Sequence, residues 1–386
     1  MKINHRWRLT PLILLIVVLL IVIVLIRQIG RVRPGSGEPP LNGGESPSDT
    51  ENNNPDTGQN IPIPAIQVIK DEGGRVDWSA ANNQIVFDAP GADGYSDVYV
   101  MKDNGSGKRC ITCNKEELPG KHMGNPAWHS SGKYIVFMAE KLRHSGSSEL
   151  AKPGRGAYND LWLADAEGNN FWRLTNLPVP PATGVLHPHF SNDGTMLLWA
   201  ERLENGGLWG VWALKVADFG IINGRPELSN IKTYQPGTAH HFYESHGFTP
   251  DDKNILFSAN MEEQSETGFD IYKMSLATGK FVNLTNTPDV WDEHGQISPD
   301  GKKIVWVSSQ DLKVPKLDMW IMNADGSNKH RLTYFEDARA ESLYGFGGAI
   351  ADSSWSPDGK KLVAFVITDN KLSLGKTIII DLERIK

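Results

Sequence analysis

The residues best suited to chemistry in this 386-residue chain are histidines standing beside carboxylates. His187-Pro188-His189 precedes the turn Phe190-Ser191-Asn192-Asp193-Gly194, and Glu244-Ser245-His246 precedes Phe248-Thr249-Pro250-Asp251. Trp291-Asp292-Glu293-His294-Gly295-Gln296 precedes Ile297-Ser298-Pro299-Asp300-Gly301, while Asp352 and Asp77 hold comparable places before two further turns. Neutral imidazoles with one or two carboxylates are the donor set for Zn²⁺, Mn²⁺ or Fe²⁺. The same groups can trade protons near neutral pH. They can equally hydrogen-bond channel water and loop backbone, in which case no cofactor is needed. The spacing is uneven, because His187 and His294 lie four residues before the Ser of the turn and His246 lies three before Thr249.

The turns themselves organise the chain. Trp355-Ser356-Pro357-Asp358-Gly359 leads into the apolar run Leu362–Val366, and variants of the phrase begin at Ile297, Phe248, Phe190, Trp128 and Trp78. Pro presets φ, Asp bonds its own backbone and Gly takes φ > 0, so each copy is a tight hairpin turn. A second phrase follows each first one, as in Asp318-Met319-Trp320-Ile321 with Arg331-Leu332-Thr333 and Asp160-Leu161-Trp162-Leu163 with Arg173-Leu174-Thr175. Each repeat therefore holds four short antiparallel strands. Six copies about 50–60 residues apart predict an all-β, six-bladed β-propeller. The last repeat has three strands of its own, and Ala65–Lys70 supplies the fourth, so an N-terminal strand closes the ring.

At these phrases the chain resembles the TolB-like propeller repeats, relatives of the WD40 architecture, over roughly residues 62–386. The resemblance implies the blade and leaves the function open, since such repeats occur in exported binding proteins, hydrolase accessory domains and lyases. The α/β domain that precedes the propeller in TolB has no counterpart in the short polar stretch before residue 61. A second resemblance is to oligogalacturonate lyases, propellers that hold a divalent metal with several His and a Gln on one face. His187, His189, His246, His294 and Gln296 are similar in kind, and the resemblance implies Mn, Zn or Fe at those residues.

Propeller strand order says where a site belongs. The Ser-Pro-Asp-Gly and Asp-Gly-Ser turns share one face and are uniformly tight. The other face carries long, varied loops, such as 141–157 and 336–350, and the approaches to the innermost strands. Function concentrates on loops held by a rigid scaffold. The expected ligand-binding face therefore includes Glu244, Trp291, Asp292, Glu293 and Asp352, with Trp172, Trp209 and Trp212 free to line it.

Residues 1–33 combine Lys2, Arg6 and Arg8, an apolar run from Leu9 to Ile26, and Arg27, Arg31 and Arg33. This reads as an uncleaved signal-anchor, a single transmembrane helix that exports the rest of the chain. Residues 34–60, rich in Pro, Gly, Ser and Asn, read as a disordered linker, and 61–386 as the propeller. The net charge is −7, and residues 1–33 contribute six basic residues and no acids, so the remainder is near −13. That sign excludes a nucleic-acid binder, which needs clustered Lys and Arg. Cys110-Ile111-Thr112-Cys113 lacks the second pair a zinc site of this type needs and reads as a local disulfide, or else as free thiols. The sequence contains no Gly-x-Ser-x-Gly elbow, so a prolyl-peptidase-like hydrolase domain is not expected. The expectation is a cell-membrane protein with its propeller on the extracytoplasmic side. It would be a non-catalytic binding platform for a protein or a cell-envelope polysaccharide. The alternative is a metal-dependent, lyase-like enzyme working at the His-rich face.

Overall fold

Ser-Pro-Asp-Gly turns fold as their chemistry requires. Ser356 Oγ donates to Asp358 Oδ1 at 2.7 Å and accepts from Lys361 N at 2.9 Å, and Gly359 takes φ 70°. Ser298, Asp300 and Gly301 repeat the arrangement. Each such turn locks a hairpin between the first two strands of a blade.

The computed structural model describes residues 63–385, apart from short loop stretches at 146–147, 207, 238–241, 262–264, 266, 313–315, 338–339 and 370–374. Within it lie six four-stranded antiparallel sheets. Blade 1 is β2 Val76–Trp78, β3 Gln84–Pro90, β4 Ser96–Lys102 and β5 Arg109–Cys110. Blade 2 is β6 Met123–Trp128, β7 Tyr134–Glu140, β8 Asn159–Asp165 and β9 Phe171–Arg173. Blade 3 is β10 Gly184–Phe190, β11 Met196–Glu204, β12 Val211–Ile222 and β13 Arg225–Tyr234. Blade 4 is β14 Tyr243–Phe248, β15 Asn254–Ala259, β16 Asp270–Ser275 and β17 Phe281–Asn283. Blade 5 is β18 Asp292–Ile297, β19 Lys303–Ser308, β20 Asp318–Asn323 and β21 His330–Arg331. Blade 6 is β22 Ala349–Trp355, β23 Lys361–Ile367 and β24 Gly375–Ile385, completed by β1 Pro64–Lys70. β1 runs antiparallel to β24, with Gln67 opposite Ile379, so the propeller's first and last strands close the ring as the repeat pattern predicts.

The cores lie between blades. Second strands are buried on both faces, and Phe87, Phe137, Trp199, Phe257 and Trp306 are nearly or fully inaccessible. A polar clasp ties the third strand of a blade to its fourth. Asp270 accepts from Thr285 Oγ1 at 2.7 Å and Asn283 Nδ2 at 2.7 Å, and Asp160 accepts from Thr175 Oγ1 at 3.0 Å and Arg173 at 2.6 Å. In blade 1 Asp97 keeps its Thr112 bond at 2.7 Å, but Cys110 replaces the Arg. There Cys110 and Cys113 form a disulfide across a Cα separation of 5.7 Å. The covalent link stands where sister blades use an ion pair or a hydrogen bond from a side-chain amide.

Blade 3 departs from the pattern, because β12 and β13 run on well past the start of β11 as a long hairpin. The anchor and linker expected at 1–33 and 34–60 lie outside the described residues. Among the described residues, no helix is long and apolar enough to cross a membrane.

Candidate functional site

The innermost strands do not run straight. In β6, β10, β14 and β18 two residues oppose one partner: Asn125-Pro126, His187-Pro188, His246-Gly247 and His294-Gly295. These are β-bulges, which bend a strand and re-aim a side chain. Asn125, His187 and His294 take positive φ of 47°, 46° and 55°, while in blade 4 the left-handed residue is Gly247 at 104°. The uneven histidine spacing is thereby explained. The blade 4 bulge lies one residue nearer its turn, so His246 heads its bulge as His187 and His294 head theirs. Three blades aim an imidazole from the same structural position.

These side chains fill the channel. The rings of His187 and His294, from blades 3 and 5, stack with centroids 5.3 Å apart, and His246 stands edge-on to both at 6.3 and 5.7 Å. Arg75, from the loop before β2, donates to His294 Nε2 at 2.8 Å and lies 4.0 Å from Asp352. Blades 1 and 5 are not neighbours, nor are 3 and 5, so these contacts cross the axis. Glu244 places Oε1 3.0 Å from His187 Nε2 and Oε2 3.7 Å from His294 Nε2. His187, Glu244 and His294 offer ligand atoms all within 4.8 Å of one another, and all three are buried. His246 Nε2 accepts from the backbone N–H of His294 at 3.2 Å and lies 2.5 Å from Ser258 Oγ. His294 Nδ1 bonds the Ala351 carbonyl, so this ring carries its proton on Nδ1 and turns its Nε2 lone pair to Arg75.

Burial and charge sort the proton holders. Burial, then the negative charge of Glu244, raise Glu293 well above the carboxylate range. Burial also works against ionised Glu244, but His187 and His294 outweigh it and hold its carboxyl well below that range. The pit thus sets side by side a carboxyl that burial pushes up and one that its histidine neighbours hold down. Burial lowers His246 against the upward pull of Glu244, burial and then the charge of Arg75 lower His294, and burial followed by His187 lowers His189 to about 4. These three imidazoles are neutral near neutral pH, and the Nε2 lone pairs of His246 and His294 are already engaged by the His294 N–H and by Arg75.

The fit to a metal is partial. Neutral His and ionised Glu are suitable donors, yet ligands at about 2.1 Å from one ion stand only about 3–3.5 Å apart. The three side chains would have to close in, and Arg75 would have to release His294.

Other expected residues spread out. His189 immediately follows the bulge, half-buried, with Nε2 unpartnered. Gln296 occupies the equivalent place in blade 5, where its carbonyl accepts from Trp355 Nε1 at 3.0 Å. Asp292 belongs to its own blade, accepting from Trp306 Nε1 at 3.0 Å and Thr287 Oγ1 at 2.6 Å, with burial raising it to about 6. Asp352 faces Arg75 and accepts from Ser353 N at 2.9 Å. Trp291 joins an aromatic wall on the loop face, 5.5 Å from Trp209 and 5.0 Å from Phe269 between ring centroids, with Phe242 6.0 Å from Trp209.

Sequence reasoning passes over Arg75, Asp88 and Asn125. Asp88 accepts from the backbone N–H of Arg75 at 3.2 Å and of Asn125 at 2.7 Å, tying blades 1 and 2 below the pit. A Cβ on Gly74 would stand 1.9 Å from Asp88 Oδ1, so the approach to β2 tolerates only glycine there. A signal for two of these residues was present. Counting back four from the first turn residue of every repeat gives Arg75, Asn125, His187, Ser245, His294 and Asp352. All six are polar, at a place where a sheet core would be apolar.

No family model matches the chain. Over 232 residues it is 30% identical to dipeptidyl-peptidase 5 of Porphyromonas endodontalis, covering 55% of this chain and 33% of that protein. It therefore spans about a third of the length of the curated relatives it matches. Among solved structures, a gluconolactonase of Xanthomonas campestris has a TM-score of 0.51 at 11% identity, covering 83% of this chain and 97% of that one. A putative TolB of Agrobacterium tumefaciens reaches 0.45 at 18% identity (67% and 73% covered), and an oligogalacturonate lyase in complex with manganese 0.45 at 11% (82% and 90% covered). Likeness at this level speaks to the fold alone.

Proposed function

We propose that the chain is a membrane-tethered, extracytoplasmic propeller that binds a polypeptide or a cell-envelope polymer at the loop-side mouth of its channel, without transforming it. One observation carries this: among the described residues, two buried polar atoms of the pit, His246 Nδ1 and Glu244 Oε2, have no hydrogen-bond partner inside the fold. A fold rarely leaves such groups unmatched, and a ligand group would satisfy them. Trp209, Phe242 and Trp291, half-buried around the inaccessible Phe269, give a chain-like ligand aromatic surface to rest against. The partial likeness to dipeptidyl-peptidases supports a polypeptide as the first ligand class to try.

The test is a titration of the purified full chain in detergent with peptide mixtures and fractionated envelope polysaccharide, following tryptophan emission. A saturable change with one ligand class, weakened about tenfold or more by Glu244→Gln, supports the reading. The reading falls if no class gives a saturable change, or if Glu244→Gln binds as the parent does.

The convergence of His187, Glu244 and His294 favours a second reading, a divalent-metal centre serving lyase-like chemistry on an acidic polysaccharide. About one transition metal per purified chain, lost in His187→Ala, would replace the first reading by this one.

A further inference from the structure

Among the described residues, the hairpin of blade 3 has no counterpart in its sister blades. β12 pairs with β11 as far as Asp218 opposite Met196, and four more residues, Phe219–Ile222, continue beyond the turn face before Asn223-Gly224 reverses the chain. At strand rise this is about 13 Å of projection. Phe219 anchors its base, packing edge-on to Phe190 at 4.9 Å between ring centroids and next to His129 at 5.5 Å. The tip is apolar and open: Ile221 is 39% and Ile222 51% exposed, and Arg225 beside them is exposed.

Where the chain joins the propeller matters here. Pro64 pairs with Ile385 at the far end of β24, so the upstream sequence enters at the turn face, the face the hairpin tip projects from. That sequence contains the apolar run Leu9–Ile26 between basic residues. Blades 3 and 6 are three places apart on a ring of six, so tip and chain entrance lie on opposite sides of one face.

We propose that the hairpin tip is a membrane-contact element, with Ile221 and Ile222 entering the interfacial region of a phospholipid bilayer and Arg225 meeting its phosphates. This rests on the membrane-tethered reading above. Two isoleucines and an arginine at a two-residue turn are too small a surface for a stable protein interface, which takes about 800 Å² from each partner. They suit lipid, where apolar side chains need no matching pocket and an Arg snorkels to the headgroups. Contact there turns the histidine pit and its aromatic wall away from the bilayer.

The experiment uses the full chain in phosphatidylcholine vesicles, with an environment-sensitive fluorophore on Ile222→Cys or, as control, on Leu142→Cys. Both native cysteines are in the disulfide, so each variant has one reactive thiol. Leu142 is 73% exposed on a loop of the opposite face. The expected result is blue-shifted emission at residue 222 and quenching by acyl-chain-brominated lipid about threefold stronger than at residue 142. Equal quenching at both positions overturns the proposal. So does self-quenching at residue 222 that depends on protein concentration and not on lipid, the mark of pairing between copies. An alkaline carbonate wash separates this result from the tether. Chain retained without quenching at residue 222 removes the hairpin contact alone. Chain washed off, though quenched beforehand, removes the tether and leaves the contact standing.

Discussion

Arg75 decides whether the pit behaves as a polar binding site or a metal site. Its guanidinium occupies His294 Nε2, the lone pair a metal would need. Arg75→Ala is expected to bind Zn²⁺ or Mn²⁺ about tenfold more tightly than the parent chain by calorimetry. Equal affinity in the two would mean that Arg75 does not guard the site. Protonation gives a second handle. Burial raises Asp88 to about 7 and Asp77 to about 6, so the folded chain keeps protons that the unfolded chain has lost. The stability this contributes is complete below about pH 4 and is lost as pH rises through about 6 to 7. His189 works in the opposite sense, its contribution present above about pH 6.5 and lost as pH falls through about 4. The denaturant midpoint should therefore climb as pH falls from about 8 to 6, more shallowly in Asp88→Asn. A flat profile in the parent would remove Asp88 from this account. The three bulge histidines were legible in sequence. Arg75 stands at the same four-residue spacing but is harder to single out, because it precedes the most worn copy of the repeat, where the chain offers Trp78-Ser79-Ala80-Ala81 in place of a Ser-Pro-Asp-Gly turn.

At the level of the strand pair, clasps and turns carry different weights although both depend on aspartates. Asp270 is buried and accepts from Asn283, Thr285 and Thr287, so Asp270→Ala should cost about 2–4 kcal/mol in chemical denaturation. Asp300 caps an exposed turn, and Asp300→Ala should cost less than about 1 kcal/mol. Equal costs would refute the clasp as a distinct device. Reducing the Cys110–Cys113 link, which closes a four-residue loop, should cost about 2 kcal/mol on a chain-entropy basis and leave the pit unchanged. The strands were readable because each repeat restates its turn and its clasp. The bulges were not, since a bulge inserts one residue without a fixed sequence sign. Here its second residue is Pro in two blades and Gly in two.

For the whole molecule, closure of the ring holds the channel-lining residues in register. β1 contributes the outer strand of blade 6 through its pairing with β24. Deleting residues 1–70 removes that strand and should lower the thermal midpoint by about 10 °C or more, whereas deleting 1–60 should leave it nearly unchanged. The same midpoint in both truncations would make β1 an ornament. The number of blades, their strands and the closing strand were all legible, because a period is a global signal that survives worn copies. The cross-channel contacts were not, since Arg75 and His294 meet only after five blades have closed the distance between them.

The central claim is that ligand is captured at the loop-side mouth of the channel. Photo-cross-linking in producing cells tests it most directly, with p-benzoyl-phenylalanine placed at Phe242 on the aromatic wall or at Phe281 on the outer rim. The account predicts discrete adducts from residue 242, suppressed by Glu244→Gln, and none from residue 281. Adducts from the rim with none from the wall would contradict it.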